Sequence, residues 1–304
     1  MTVAGGTIPA LVTPFTRGGA DVDLELLDAH VAWLHRRGVA CVAPLGTNGE
    51  GPSMSLAERR RVIERIAGHP SGIAVLPGTG CSSLPETIEL SRFAVEHGAI
   101  GILVAPPWYF EAERDGLTRY YDALLRGLPA EARVFLYNVP AYTGVPVDAA
   151  VAAELRERFG ERLAGVKDSS GDVENSRGYL RAAPGLTLLF GSDAGVADAF
   201  RGGADGIISA LANAIPREVE AVRRAVAAGA SGEQEQRVLA DVRALTRRGP
   251  RRSALKALVA AASGLPRGAV RPPLAELTDE EAARLGDRFA ELGLEPADAS
   301  GAQL

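Results

Sequence analysis

The sequence predicts an α/β protein built as a closed (β/α)8 TIM barrel with a C-terminal helical extension. Short apolar runs begin near positions 8, 39, 73, 100, 133, 163, 186 and 206, each followed by a helical pattern, and eight strand–helix units in one chain match that barrel. An open doubly wound sheet, the runner-up, would normally carry a Gly-x-Gly-x-x-Gly turn after its first strand, and this chain has none there. Further helical stretches follow the eighth run, more than one unit needs.

In order, Gly6 to Phe15 reads as the first strand and Leu24 to Arg37 as a helix with Leu27, Val31 and Leu34 on its apolar face, closed by Gly38. Val39 to Ala43 is the second strand, and the loop Gly46-Thr47-Asn48-Gly49-Glu50-Gly51 follows it. Ser55, with Glu58 three residues on, predicts the N-cap of a helix from Leu56 to Ala67. Ile73 to Leu76 is the third strand and Pro85 to His97 its helix; Ile100 to Ala105 is the fourth, ending in Pro106-Pro107-Trp108-Tyr109-Phe110, with a helix over Gly116 to Leu128.

Arg133 to Tyr137 gives the fifth strand, with a loop from Asn138 to Gly144 and a helix from Asp148 to Phe159. Leu163 to Lys167 is the sixth, before a helix from Val173 to Ala183. Leu186 to Phe190 and Gly206 to Ile208 supply the seventh and eighth, separated by a short helix from Val196 to Gly202. Helices are then expected near Pro216 to Ala228, Glu233 to Arg247, Arg252 to Ser263 and Asp279 to Leu292. The barrel is assigned to 1–230 and the appendage to 231–304, whose last residues, Pro296 to Leu304, are small and polar enough to fray.

Composition narrows the function. An apolar fraction of 46% and a charged fraction of 23% are those of a soluble globular protein. A net charge of -5 argues against a nucleic-acid binder that relies on bulk electrostatics. The runs Glu58-Arg59-Arg60-Arg61 and Arg247-Arg248-Gly249-Pro250-Arg251-Arg252 lack interleaved aromatics and read as solvated helix faces or inter-subunit ion pairs. No run approaches a membrane span, no signal peptide is visible, and Cys41 and Cys81 read as free thiols in a reducing compartment, so a cytoplasmic protein is expected. His30, His35, His69 and His97 lie within or at the ends of helices without ligand spacing, so no metal site is expected.

Of the 33 basic residues only Lys167 and Lys256 are lysines. Lys167 ends an apolar run and precedes Asp168-Ser169-Ser170-Gly171, which is where a reactive amine would be wanted. Arginine cannot take that role because its guanidinium stays protonated, whereas an ammonium desolvated among apolar side chains can lose its proton near neutral pH. In a barrel the carboxyl ends of the strands converge on one mouth. Lys167 would there meet Tyr137, the Gly46–Gly51 loop, Trp108-Tyr109 and Gly191-Ser192-Asp193.

These motifs, Gly46-Thr47-Asn48-Gly49-Glu50, Tyr137-Asn138-Val139-Pro140, Gly165-Val166-Lys167-Asp168 and Gly191-Ser192-Asp193, are specific in combination and in this order. Together the chain resembles the dihydrodipicolinate synthase/N-acetylneuraminate lyase family of class I pyruvate aldolases over nearly its whole length. The resemblance implies that Lys167 forms a Schiff base with the keto carbon of pyruvate or a 2-keto acid, without a cofactor, and that Tyr137 transfers protons. It implies that Thr47 links Tyr137 to a second tyrosine, matched by Tyr109 and supplied by a neighbouring subunit. It also implies that Thr47 and Asn48 hold the substrate carboxylate and that the protein is a homotetramer, a dimer of dimers.

Three positions depart from particular members. Dihydrodipicolinate synthases usually carry an arginine where this chain has Tyr142 and a second threonine where it has Asn48. N-acetylneuraminate lyases carry a glutamate where it has Ala194. The expected activity is therefore aldol cleavage of a 2-keto-3-deoxy sugar acid or a 4-hydroxy-2-oxoglutarate-like acid, with Tyr142, Gly191, Asp193, Ile208 and Ser209 as further substrate-binding positions. The alternatives are 4-hydroxy-tetrahydrodipicolinate synthase, a Schiff-base dehydratase on the same scaffold, and a non-catalytic pyruvate-binding paralogue.

Overall fold

The computed structural model describes residues 5–294 apart from 248, so the terminus from Pro296 lies outside the described residues, as does Arg248. Eight strands alternate with helices: β1 (Gly6–Pro9), β2 (Cys41–Val42), β3 (Ala74–Val75), β4 (Ile102–Val104), β5 (Val134–Asn138), β6 (Leu163–Asp168), β7 (Thr187–Phe190) and β8 (Gly206–Ser209). All the pairings are parallel, in the order β1-β8-β7-β6-β5-β4 with a separate β2-β3 pair. Backbone hydrogen bonds span both seams. Ala43 N donates to Pro9 O (2.9 Å) and Leu11 N to Ala43 O (3.0 Å) between β1 and β2; Ile100 N donates to Val75 O (3.0 Å) and Leu103 N to Pro77 O (2.9 Å) between β3 and β4. The sheet curls back on itself as a TIM-barrel-like α/β fold.

The helices following β1 to β8 are α1 (Leu24–Arg36), α2 (Leu56–Ala67), α3 (Leu84–Glu96), α4 (Arg114–Gly127), α5 (Ala149–Phe159), α6 (Val173–Ala182), α7 (Val196–Arg201) and α8 (Pro216–Ala227). Their starts follow local chemistry. Asp23, Ser83, Asp148 and Asp172 accept from backbone N–H groups of the first turns of α1, α3, α5 and α6, and Ser55 with Glu58 forms the expected capping box of α2. Ile8, Cys41, Leu76, Leu103, Phe135, Leu189 and Ile208 fill the barrel interior. Phe135 fits because Gly165 faces it: a Cβ at 165 would meet its ring at 2.6 Å.

Three more helices follow, α9 (Glu233–Thr246), α10 (Arg251–Ser263) and α11 (Asp279–Ala290). One apolar cluster joins them to the barrel through Val12, Ile207, Leu211, Val219, Leu239, Leu258 and Phe289. No helix among the described residues is long and apolar enough to cross a membrane.

Several boundaries differ from the sequence reading. β1 ends at Pro9 rather than reaching Phe15. Beyond it the Asn213 side chain takes over the backbone's hydrogen bonds, accepting from Val12 N (3.0 Å) and donating to Ala10 O (2.9 Å). Pro140–Thr143, expected as loop, forms one helical turn closed by Gly144 in the left-handed region.

Candidate active site

Strand register brings the reactive pair together. Tyr137 on β5 lies directly opposite Lys167 on β6, and both are buried. Lys167 Nζ stands 4.0 Å from the centroid of the Tyr137 ring. The phenol oxygen is 3.0 Å from Thr47 Oγ1, so β2's loop, β5 and β6 meet at one point. Burial pushes the Tyr137 phenol up, but the charge of Lys167 and hydrogen bonds from Thr47, Lys167 and Ser169 outweigh it, leaving its pKa below the usual tyrosine value.

The loop carrying Thr47 and Asn48 is held from below. Leu45 and Glu50 both have positive φ, 62° and 53°, so the segment between them turns tightly. Gly49 and Gly51 permit it: a Cβ at 49 would sit 2.7 Å from Leu11 O, and one at 51 would run into Leu45 O. Glu50 is buried and pairs with Lys256 of α10 at 2.5 Å, while Arg271 N donates to its other oxygen at 2.9 Å. Lys256 also donates to Ala269 O at 2.6 Å. Burial pushes the Lys256 ammonium below the ordinary lysine value against the opposing effect of Glu50.

Asp168, the residue after the lysine, is fully buried. Its Oδ1 accepts from Asn138 Nδ2 (2.8 Å) and Ser170 N (3.0 Å); its Oδ2 accepts from Ser170 Oγ (2.9 Å), Asn175 Nδ2 (3.0 Å) and Ser176 Oγ (2.6 Å). Asn138 in turn accepts from Val147 N at 3.0 Å. Asp168 thus clamps the ends of β5 and β6 and the start of α6, fixing the neighbours of Tyr137 and Lys167. The sequence reading quoted Asp168 and Asn138 within motifs but gave them no role; the signal was their place immediately after the reactive pair.

A cavity of about 220 Å³ opens above Lys167, and Thr47, Asn48, Tyr137, Tyr142, Gly191, Asp193 and Ile208 line it. Gly191 keeps this wall thin, since a Cβ there would collide with Ser169 Oγ. Ser209 touches the cavity only through Asp193. It donates to Asp193 Oδ1, and the N–H groups of Ala210 and Leu211 donate to Oδ2 at 3.2 and 3.3 Å, so the aspartate ties the β7 loop to the end of β8. Burial raises the Asp193 pKa despite these donors. Tyr109 is outside this cavity, 82% exposed beside an equally bare Phe110. Within one chain it does not reach Tyr137 through any described contact.

The basic runs behave differently from each other. Arg59, expected on a solvated face, is buried: α2 turns it inward, where it donates to Gly78 O (2.8 Å), Gly80 O (3.1 Å) and Cys81 Sγ (3.1 Å). Arg247, Arg251 and Arg252 of the second run border the cavity, with Arg243 of α9. His30 is a packing residue, its Nε2 2.9 Å from Asn213 O, and burial lowers its pKa to about 4. Cys41 and Cys81 are free and buried. Among the described residues no group of three or more His, Cys, Asp and Glu side chains could hold a metal ion.

A parallel barrel-like sheet with a buried lysine at the end of its sixth strand and a tyrosine beside it at the end of the fifth defines a class, that of lyases with the class I aldolase fold. A profile of the Dihydrodipicolinate synthetase family matches residues 3–291, and the chain belongs to that family. It is 42% identical over 281 residues, 92% of its length and 94% of the relative's, to a DapA-like lyase of Chloroflexus aurantiacus. Its fold matches the E. coli K12 prophage protein YagE, a family member solved in complex with pyruvate, with TM-score 0.89 at 28% identity over 96% of this chain and all of that one. It also matches a variant of the Sulfolobus solfataricus 2-keto-3-deoxygluconate aldolase, with TM-score 0.86 at 26% identity over 95% and 96%.

Proposed function

We propose that this protein is a Schiff-base class I aldolase that cleaves a 2-keto-3-deoxy sugar acid or a 4-hydroxy-2-oxoglutarate-like acid to pyruvate and an aldehyde, using no metal. The observation that carries it is the buried Lys167 amine beside Tyr137, itself hydrogen-bonded to Thr47. Likeness to a 2-keto-3-deoxygluconate aldolase supports the substrate class. In this reading the neutral Lys167 amine adds to the keto carbon, Tyr137 gives the proton with which water leaves, and the protonated imine remains. Tyr137 then takes the proton of the C4 hydroxyl as the C3–C4 bond breaks, and the electron pair passes into the imine as an enamine. Protonation at C3 and hydrolysis release pyruvate and restore the lysine.

The N–H groups of Thr47 and Asn48 would hold the substrate carboxylate. Tyr142, Gly191, Asp193 and Ile208 shape the walls around the chain, and Ser209 acts through Asp193. Tyr109 fits a role in completing a neighbour's site within a homotetramer, because its ring is bare in the single chain. The division proposed is a barrel of 1–230 and an appendage of 231–304, whose helices α9 to α11 share a core with the barrel.

Borohydride reduction with pyruvate, followed by peptide mass mapping, tests the reading. The only other lysine, Lys256, is locked to Glu50, so an adduct on the Lys167 peptide that is absent from Lys167→Arg is the expected result. No adduct on the folded protein would sink the mechanism and favour a non-catalytic pyruvate binder. An adduct with substrate dehydration but no aldehyde would favour the dehydratase.

A further inference from the structure

The walls of the cavity above Lys167 are unusually positive. Arg243, Arg247, Arg251 and Arg252, from the end of α9 and the start of α10, stand around it, and its one carboxylate, Asp193, accepts from Ser209 Oγ and two backbone N–H groups, with Arg243 near enough for its charge to act on it. None of the four arginines forms an ion pair among the described residues. Arginines with carboxylates in reach do pair: Arg60 with Glu89, Arg65 with Asp28, Arg126 with Asp122 and Arg271 with Glu58. Four like charges around one opening repel each other, and in a protein of net charge -5 they run against the overall balance. Arg252 is further steadied over the ring of Tyr142, 5.0 Å from its centroid. Tyr142 lies on the helical turn after β5, so the guanidinium stands at the edge of the site rather than out in solvent.

A keto acid bound to Lys167 brings one carboxylate, which the Thr47–Asn48 loop accounts for under the proposed reading. Four guanidinium groups are then left for the other end of the substrate. Resting on that aldolase reading, we infer that Arg243, Arg247, Arg251 and Arg252 form a subsite for an anionic group at the end of the substrate chain remote from the keto carbon. The substrate is thus a 2-keto acid ending in a phosphate or a second carboxylate, not a neutral polyol. Guanidinium forks suit both oxyanions.

Two measurements test it. The first compares kcat/KM for pyruvate release from 2-keto-3-deoxygluconate, 2-keto-3-deoxy-6-phosphogluconate and 4-hydroxy-2-oxoglutarate. The expected result is a preference of about 10- to 100-fold for an anionic end over the neutral one, largely through KM. It should collapse in Arg247→Ala and Arg251→Ala and partly return in Arg251→Lys. Preference for the phosphate or for the dicarboxylate identifies the source of the charge. The second is calorimetric titration with glycerol 3-phosphate, D-glycerate and glycerol, which needs no turnover. Binding of one or both anions but not glycerol, lost in Arg251→Ala, supports the subsite even if the pyruvate adduct fails to form. Equal cleavage of neutral and anionic substrates, or no binding of either anion by the folded protein, overturns the subsite. If the pyruvate adduct forms in that case, the aldolase reading still stands.

Discussion

Lys167 and Tyr137 sit at paired positions on adjacent parallel strands, with the ammonium nitrogen 4.0 Å from the centroid of the phenol ring. The charge of Lys167 acts on the phenol, and the phenol reports it. Tyr120 is pushed up to about 12 by burial, and Tyr121 and Tyr179 are pushed higher than that of an ordinary tyrosine for the same reason. Tyr137 is shifted the other way, below the ordinary tyrosine value. An ultraviolet titration should show a phenolate forming below the ordinary tyrosine range that disappears in Tyr137→Phe. In Lys167→Met the same signal should move upward, because burial then acts without the opposing charge. Activity should fall as pH rises through this ionisation, since the phenolate no longer has the proton that expels water, and Tyr137→Phe should lower kcat about 10²- to 10⁴-fold. A phenolate signal unmoved by Lys167→Met would mean the two groups are not coupled.

Thr47 Oγ1 lies within hydrogen-bond distance of the Tyr137 hydroxyl, at 3.0 Å. Thr47→Val keeps the shape and removes the bond, so kcat should fall about 5- to 10-fold, the worth of one such hydrogen bond, while Thr47→Ser retains most of the activity. Equal losses in both variants would indicate packing rather than proton traffic.

The barrel was legible in the sequence because its strands are largely buried and most of them read as a short apolar run. Where β1 ends was not, because the partner that replaces the sheet there is the side chain of Asn213, some two hundred residues away in sequence. Lys167 and Tyr137 stood out through lysine scarcity and motif order. The arginines around the cavity did not, since nothing local in Arg247 to Arg252 tells which way α9 and α10 turn. Arg59 misled for a related reason: in a run of three arginines only the helix phase decides that it points inward to Gly78 and Gly80.

Asp168 carries a prediction about stability. Asp168→Ala leaves five donors without their acceptor, of which those on Asn138 and Ser176 are buried away from water, so it should destabilise the protein by about 3 kcal/mol in urea titration. Asp168→Asn, which removes the charge but keeps the shape, should cost less. A loss under 1 kcal/mol for Asp168→Ala would mean water replaces the carboxylate.

His30 makes the fold sensitive to acid. Its pKa is about 4 in the folded chain against 6.5 for an unperturbed histidine, so between those values the unfolded chain binds more protons and stability falls as pH is lowered. The loss reaches about 3 kcal/mol once both states are protonated. Urea midpoints at pH 7 and pH 4.5 should therefore differ less in His30→Gln, which retains a donor for Asn213 O, than in the parent chain. An unchanged pH dependence would shift the acid sensitivity to other groups.

The C-terminal helices reach the catalytic loop through a buried ion pair. Lys256 of α10 pairs with Glu50, whose left-handed backbone ends the turn that presents Thr47. Lys256→Met leaves a buried carboxylate held only by Arg271 N and should cost about 3–5 kcal/mol, whereas the double variant Glu50→Gln, Lys256→Met removes both charges and should recover much of that. If the pair positions the loop as well as stabilising it, Lys256→Met should also weaken the Thr47–Tyr137 bond, seen as a phenol pKa raised toward the ordinary value and a lower kcat with little change in KM. A stability loss with an unaltered phenol titration would assign the pair to folding alone. Recovery of stability in the double variant without recovery of the phenol pKa would show that the charge itself, and not merely the filled volume, sets the conformation at Glu50.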